Sequence, residues 1–163
     1  MARSDIALRK AETIFNELDQ LQTAIRQRAY DLFRTEGTRG GGPLGDWLNA
    51  ERQLVWKPAI ELRQKNGQFE VLAATPGVEA KDLDVQITPE DVLIKANIHH
   101  QHTPEEGTVQ VCEFTGGQLF RSVHFPEQID PESAVAEYRN GMLRVTASIA
   151  KPAAQKKVEI TTA

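Results

Sequence analysis

Residues 134–147 read AVAEYRNGMLRVTA, and this stretch decides the fold. Two runs that alternate between apolar and polar side chains flank Asn140 and Gly141. Asn-Gly is the strongest short-range signal for a β-hairpin, because both central residues of a type I′ turn need positive φ. After the turn, Leu143 and Val145 fall on one face of a strand. The stretch therefore predicts an antiparallel hairpin with one buried face.

The same two-residue period recurs from Ala59 to Ala150. Asn66-Gly67 predicts a second hairpin. Further alternating runs lie at residues 60–63, 69–74, 83–87, 92–98, 109–111 and 119–125. Short strands separated by turn residues at this spacing indicate a β-sandwich or a barrel. No helical pattern interleaves with these runs, so a parallel α/β sheet is not expected.

The N-terminal third has a different period. Residues 4–35 are predicted to be helical, with Ser4 as the N-cap and Gly37 as the C-terminal stop. One helix, or two with a break near Thr23, would fit the pattern equally. The apolar positions recur in steps of three and four and comprise Ala11, Ile14, Phe15, Leu18, Leu21, Ile25, Ala29, Leu32 and Phe33.

A second, shorter helix is expected after the Gly-rich loop at residues 38–45. Asp46 would cap this helix, which would end at Leu54 and carry Trp47 and Leu48. The apolar stripe of the N-terminal helices has two interpretations: it packs within its own domain, or it binds other subunits or other proteins. About fifty residues form only a thin core by themselves, which keeps the second interpretation open.

Composition narrows the function classes. The chain has 163 residues and a formal net charge of −4, so nucleic acid is not an expected partner. Cys112 is the single cysteine, which excludes an intrachain disulfide and fits a reducing compartment. No apolar run approaches the roughly 20 residues that a membrane span needs, and no signal-peptide pattern opens the chain. We therefore predict a cytoplasmic protein that does not bind membranes.

Residues suited to catalysis or metal binding are sparse. His99, His100 and His102 lie in one polar loop with Glu105 and Glu106. Adjacent histidines of a strand point to opposite faces, and no fixed tetrahedral spacing is present, so no metal site is predicted.

The single thiol and the glycine-rich segments add no catalytic feature. The alternation of Val109 and Val111 places Cys112 on the opposite face of the predicted strand, where it is expected to be an ordinary thiol. No glycine-rich phosphate loop follows a strand and opens a helix, so no nucleotide cofactor and no ATPase activity are expected. The sequence predicts that the protein is not an enzyme.

The C-terminal segment contains Val158-Glu159-Ile160 after a short polar linker. In an extended strand the two β-branched side chains point the same way. The segment is either a frayed terminus or a peptide that adds as a strand to a sheet edge, with both side chains in pockets. No local partner would bury these side chains, which favours docking.

Together these residues resemble the small heat shock proteins, the α-crystallin-type chaperones. The resemblance covers Trp56 to Ile160. Four segments carry it: ATPGV at 74–78 with DLDV at 82–85, LFRSVHFP at 119–126, AEYRNGMLRV at 136–145, and VEI at 158–160, which is similar to the family's I-x-I/V anchor.

The resemblance implies a fold and its divisions. It implies a mainly β protein built on an immunoglobulin-like antiparallel β-sandwich, the α-crystallin domain. The expected divisions are an N-terminal helical arm at 1–55, the sandwich at 56–151 and a flexible tail at 152–163.

The resemblance also implies how chains associate. The sandwich would form dimers and higher homo-oligomers. The anchor residues Val158 and Ile160 would dock into a groove of a neighbouring chain, formed by Leu83, Val85, Ile87, Ala134, Ala136 and Tyr138. The His99–Gly107 loop would reach across to the partner subunit.

Arg121 would pair with a carboxylate at the dimer interface. Alternation places it on the face of Leu119 and Val123, and a buried unpaired charge is costly. Glu113 and Glu106 are equal candidates for the partner. The other interpretation is an exposed charge at a sheet edge.

The helical arm resembles a short bacterial module of unknown function, through RAYDLF at 28–33, Gly37 and DWLNAE at 46–51. Assembly and client capture are the roles expected for its apolar side chains, namely Ile14, Phe15, Leu18, Leu32, Phe33 and Trp47.

The predicted function is that of an ATP-independent holdase that binds unfolding proteins and prevents their aggregation. The alternative is a co-chaperone or adaptor whose sandwich binds one specific folded partner. An enzyme ranks third, because the sequence shows no convergent acid, base and nucleophile.

Overall fold

The computed structural model describes residues 6–11, 13–103, 105, 107–114 and 116–151. Two helices, α1 (Phe15–Glu36) and α2 (Gly42–Leu54), form the N-terminal region. The strands are β1 (Ala7–Lys10), β2 (Val55–Trp56), β3 (Ile60–Lys65), β4 (Gln68–Ala74), β5 (Leu83–Ile87), β6 (Asp91–Ile98), β7 (Gly117–His124), β8 (Val135–Arg139) and β9 (Met142–Ser148). Short 3₁₀ turns lie at Gly37–Gly40, Ala80–Asp82 and Pro131–Ser133.

The strands form two sheets. The first sheet has the order β1-β5-β6-β7-β2, and its two outer strands run parallel to their neighbours. The second sheet has the order β3-β4-β9-β8 and is antiparallel throughout. The predicted fold class, a mainly β sandwich with an N-terminal helical region, is confirmed.

Both Asn-Gly hairpins form where the sequence predicts them. Asn66 and Gly67 join β3 to β4 with φ of 53° and 74°, and Asn140 and Gly141 join β8 to β9 with φ of 53° and 76°. All four residues occupy the positive-φ region that a type I′ turn requires.

The main core lies between the sheets. It is built from alternate residues of the strands, such as Phe69 and Val71 of β4, Val85 of β5 and Leu143 and Val145 of β9. Hydrophobic burial at every second position explains why the alternating pattern predicts this core so well.

The helices cover the outer face of the first sheet. Leu93 points away from the main core and is buried with Ile14 and Phe120, beneath α1. A second small cluster, centred on Ile25, Leu32 and Ala50, joins α1 to α2. Much of the apolar stripe therefore packs within its own chain.

The structure agrees with the predicted helix ends and changes the predicted helix starts. Helix α1 is a single helix through Thr23, and its C-cap is Gly37, as predicted, with φ of 58°. It begins only at Phe15, because Ala7–Lys10 pair with the open edge of β5 as a strand. Helix α2 ends at Leu54, as predicted, but begins at Gly42, so Asp46 does not cap it. Ser4 lies outside the described residues.

The predicted strand at residues 109–111 is wrong. Val109 and Val111 lie in a loop and are exposed, and Cys112 is an exposed loop thiol rather than a strand residue. No described strand pairs with this segment, so the alternating valines do not form part of a sheet. Among the described residues, no helix combines the length and the apolar character needed to cross a membrane.

Candidate functional site: a groove between the sheets

The predicted groove residues come together in one apolar cluster. Leu83, Val85 and Ile87 of β5 are buried in it, and Ala134, Ala136 and Tyr138, in and beside β8, are half-buried against it. Strand β5 belongs to the first sheet and β8 is the outer strand of the second. The two sets therefore belong to different sheets and meet in one apolar cluster, and the region between β5 and β8 is called the groove below.

The groove holds a strand of this chain, which the sequence analysis missed. Strand β1 runs parallel to β5, with Leu8 opposite Val85, and the amide of Ala11 donates to the carbonyl of Ile87 at 2.9 Å. Ile6 and Leu8 are half-buried against the main core, whereas Ala7 and Arg9 are exposed. The only local sign of this strand in the sequence is the alternation of Ile6 and Leu8 with Ala7 and Arg9.

Two ion pairs fasten β1 to both walls. The Arg9 guanidinium donates from Nε to Asp84 Oδ1 of β5 at 3.0 Å, and a second nitrogen of the same group pairs with Asp84 Oδ2. Lys10 pairs with Glu132, in the turn that precedes β8. Strand β1 is therefore tied both to β5 and to the turn that leads into β8.

The charges around Asp84 extend the contact to α1. Lys95 Nζ lies 2.8 Å from Glu17 Oε2 and 3.3 Å from Asp84 Oδ2, and Gln86 donates to Glu17 at 3.0 Å. The hydrogen bonds from Lys95 and Gln86 lower the pKa of Glu17. The network links α1, β1, β5 and β6 on the outer face of the first sheet.

Asp84 stays ionised despite its burial. Desolvation raises the pKa of Asp84, but the hydrogen bond from Arg9 and the positive charges of Lys95 and Arg9 outweigh it, so the net pKa is lowered. The same hydrogen bond raises the pKa of Arg9, so it favours the charged form of both partners. A half-buried carboxylate beside two cations keeps its charge at neutral pH.

The Tyr138 hydroxyl fixes the β8 wall. Its single hydrogen is donated to the carbonyl of Val78 and shared with the carbonyl of Thr75, which lies 3.3 Å from the hydroxyl oxygen. The Thr75 amide in turn donates to the Gly141 carbonyl at 2.7 Å. The wall is thus tied to the turn that follows β4.

Arg121 lies opposite Ile94 in the pairing of β6 with β7. Its Nε is buried and has no hydrogen-bond partner within the part of the chain that the structure describes. Glu113 is exposed in the loop before β7, and Glu106 lies outside the described residues. The pairing of Arg121 with either carboxylate stays a prediction.

The predicted arm residues differ in accessibility. Ile14 and Leu32 are buried, and Leu18 and Trp47 are half-buried. Phe15 and Phe33 are 75% and 44% exposed. The predicted anchor residues Val158 and Ile160 lie outside the described residues.

The chain is a two-sheet β-sandwich in which an apolar-x-apolar strand, β1, pairs with the edge of β5. The profile of the Hsp20/alpha crystallin family matches residues 61–161. The chain belongs to the Hsp20/alpha crystallin family, whose members are chaperones, and the predicted resemblance is confirmed. A second profile, of a protein of unknown function (DUF2934), matches residues 20–55, in agreement with the resemblance of the helical arm.

Individual relatives agree with this assignment. The probable 15 kDa heat shock protein of Leptospira interrogans is 28% identical over 110 residues, which cover 68% of this chain and 82% of the relative. Spore protein SP21 of Stigmatella aurantiaca is 24% identical over 114 residues, 70% of this chain and 68% of the relative. Heat shock protein 16.0 of Schizosaccharomyces pombe has the same fold, with a TM-score of 0.56, 21% identity, and coverage of 72% of this chain and 92% of that chain.

Proposed function

We propose that the protein is an ATP-independent holdase that assembles through sandwich dimers and through docking of its tail. The observation that carries this proposal is the groove at the edge of β5, which accepts a strand with two inward apolar side chains. Val158 and Ile160 have the same spacing as Ile6 and Leu8. Each docked Val or Ile contributes roughly 1.5–3 kcal/mol at full burial, which permits exchange of subunits yet adds up over many contacts.

Client capture would use apolar side chains on the helical arm. Phe15 and Phe33 are exposed, as are Leu44 and Leu48 of α2. Ile14 would contribute only after α1 leaves the sheet, and Leu32 only after α1 separates from α2. Partial release of the arm on heating would therefore enlarge the binding surface for unfolding chains.

Dimer formation would give the buried Arg121 Nε a partner. An unpaired buried donor is costly, so a carboxylate from a second chain is the simplest complement. Glu113 is exposed and Glu106 is the other predicted partner. Arg121→Ala should shift the dimer towards monomer in sedimentation experiments, whereas Arg139→Ala on the exposed edge of β8 should not.

The holdase activity is tested by light scattering of a heat-denatured model protein, without nucleotide. Suppression at near-equimolar subunits is the expected result. No suppression at any temperature or ratio would contradict the proposal and favour an adaptor for one folded partner. Phe15→Ser with Phe33→Ser should weaken suppression, because this pair offers exposed aromatic surface.

Tail docking is tested by the mass of the assembly in solution. Val158→Ala with Ile160→Ala should lower the mass, and Thr161→Ala with Thr162→Ala in the same tail is the matched control. An unchanged mass for the first pair would exclude the tail as an anchor. The cytoplasm stays the predicted location.

A further inference from the structure

We propose that the N-terminal strand β1 is an internal competitor for the groove, and that it must leave before a tail from another chain can dock. This inference rests on the proposed function of the tail. A strand offers two edges to hydrogen bonding, and β6 occupies one edge of β5 along its whole length. Strand β1 occupies the other edge, so a tail that adds as a strand to β5 needs the same backbone groups.

The two segments present the same side-chain pattern. Ile6 and Leu8 are one residue apart and both face the apolar cluster that contains Val85 and Tyr138. Val158 and Ile160 are also one residue apart. Side-chain pockets and backbone edge are therefore shared, and occupancy by one segment excludes the other.

The contacts of β1 hold it on β5 but are weak enough to let it dissociate. Its apolar side chains are only half-buried, and its ion pairs, Arg9 with Asp84 and Lys10 with Glu132, involve mostly exposed cations. Exposed ion pairs contribute little stability each. Strand β1 also contains only four residues, which limits its hydrogen bonds to β5.

Binding of a tail peptide measures the competition. The probe is a labelled peptide with the sequence of residues 155–163, QKKVEITTA, and the protein is the full chain carrying Val158→Ala and Ile160→Ala to remove its own anchor. Adding Ile6→Ala and Leu8→Ala should tighten peptide binding about tenfold, because the binding-competent fraction rises. Val109→Ala with Val111→Ala, two exposed apolar residues of the loop before β7, is the matched control and should change nothing.

A milder variant guards against misfolding. Arg9→Glu places two negative charges together at Asp84 without removing apolar surface, and should tighten peptide binding in the same direction by a smaller factor. Hydrogen exchange gives a second readout: the Ala11 amide, which donates to Ile87, should exchange faster when the peptide saturates the groove. The Val145 amide, in the other sheet, should not respond.

The outcomes separate the two proposals. Equal peptide affinity for all variants would overturn the competition and leave tail docking in place. Peptide binding to none of the variants would overturn tail docking, and the competition with it. Tighter binding after release of β1, together with faster exchange at Ala11, supports both.

A second inference stands on a separate cluster. His100 and His102 follow β6, and Cys112 precedes β7 on the other side of the same loop. Their ligand atoms, two imidazole nitrogens and one sulfur, all lie within 4.8 Å of one another. One residue separates His100 from His102, so the opposite orientation of adjacent histidines does not apply to this pair.

The geometry points to a Zn²⁺ site made by His100, His102 and Cys112. Imidazole nitrogen and thiolate sulfur are the ligands that Zn²⁺ prefers, and a tetrahedral site places them roughly 3.5 Å apart. All three side chains are exposed, so rotations that move them about 1 Å closer meet little resistance. Binding would release the thiol proton of Cys112, and the fourth position would remain open to water.

Zn²⁺ titration of the reduced full chain against a chromogenic chelator tests this site. One ion should bind per chain, and Cys112→Ser should weaken binding about a hundredfold through loss of one of three ligands. His99→Asn, in the same loop but outside the cluster, is the control and should bind as the unmodified chain does. Co²⁺ should produce a thiolate charge-transfer band that Cys112→Ser abolishes. Equal Zn²⁺ affinity of the Cys112→Ser variant and the unmodified chain, or no binding to the unmodified chain, would overturn the site.

Discussion

Leu93 reports whether the helical arm covers the sheet in solution. Its side chain is fully buried, yet it faces away from the main core and touches Ile14 and Phe120. Helix α1 supplies much of that burial. If the arm were detached, Leu93 would be an exposed apolar residue on a strand, and its truncation would cost almost nothing.

Leu93→Ala should therefore lower the free energy of unfolding by about 2–3 kcal/mol. Buried Leu→Ala substitutions cost about 2–5 kcal/mol, depending on how far the site collapses. Clefts lined by Leu18 and Ser122 border this cluster, and they let neighbouring side chains relax, which places the cost in the lower part of the range.

Urea unfolding at a fixed protomer concentration, followed by tryptophan fluorescence, measures this change. Trp47 lies in α2 and Trp56 in β2, so the signal reports the arm and its junction with the sheet. Leu143→Ala, in the main core, is the control for an ordinary core truncation. A cost below about 0.5 kcal/mol for Leu93→Ala, with a full cost for Leu143→Ala, would refute the docking of the arm.

Three further results are expected. The pKa of Glu17 is lower in the folded chain than its ordinary value of 4.5. The stability that ionised Glu17 contributes is therefore complete above pH 4.5 and is lost as the pH falls through the folded pKa. Glu17→Gln should make the urea midpoint less dependent on pH in this acidic range. Gly141→Ala should lower the melting temperature more than Gly67→Ala does, because both have positive φ but only a Cβ at position 141 meets backbone, at 3.3 Å from Pro76 Cα. Tyr138→Phe should lower the free energy of unfolding by about 1 kcal/mol in chemical denaturation, since the hydrogen bond that Val78 and Thr75 share is lost. No loss would show that water replaces the hydroxyl.

Local rules predicted the parts of the fold that depend on local geometry. A type I′ turn needs two residues with positive φ, and Asn140 and Gly141 adopt it readily, so these two residues are enough to predict the hairpin. The alternation of Val92 and Ile94 predicts their burial for the same reason. It also places Leu93 on the opposite face, but it says nothing about what covers that face.

The missed features depend on distant partners. Residues 7–10 lie within the segment predicted to be helical, and the short alternation there becomes a strand only because the open edge of β5, far along the chain, pairs with it. Val109 and Val111 alternate as strand residues do, but no described strand lies beside them. The docking role of the groove residues stays a prediction from the family resemblance, whereas the pairing of β1 with β5 depends on two segments that no short window of sequence contains.

The parallel pairing of β1 with β5 has a consequence during synthesis. The ribosome makes Ala7 long before Asp84, its partner in the register. At about 5–20 residues per second, β1 waits about 4–15 s for the strand that it pairs with. Throughout this delay Ile14 and Leu18 on the nascent chain have no sheet to cover them, so this member of a chaperone family exposes apolar side chains of its own until the sheet forms.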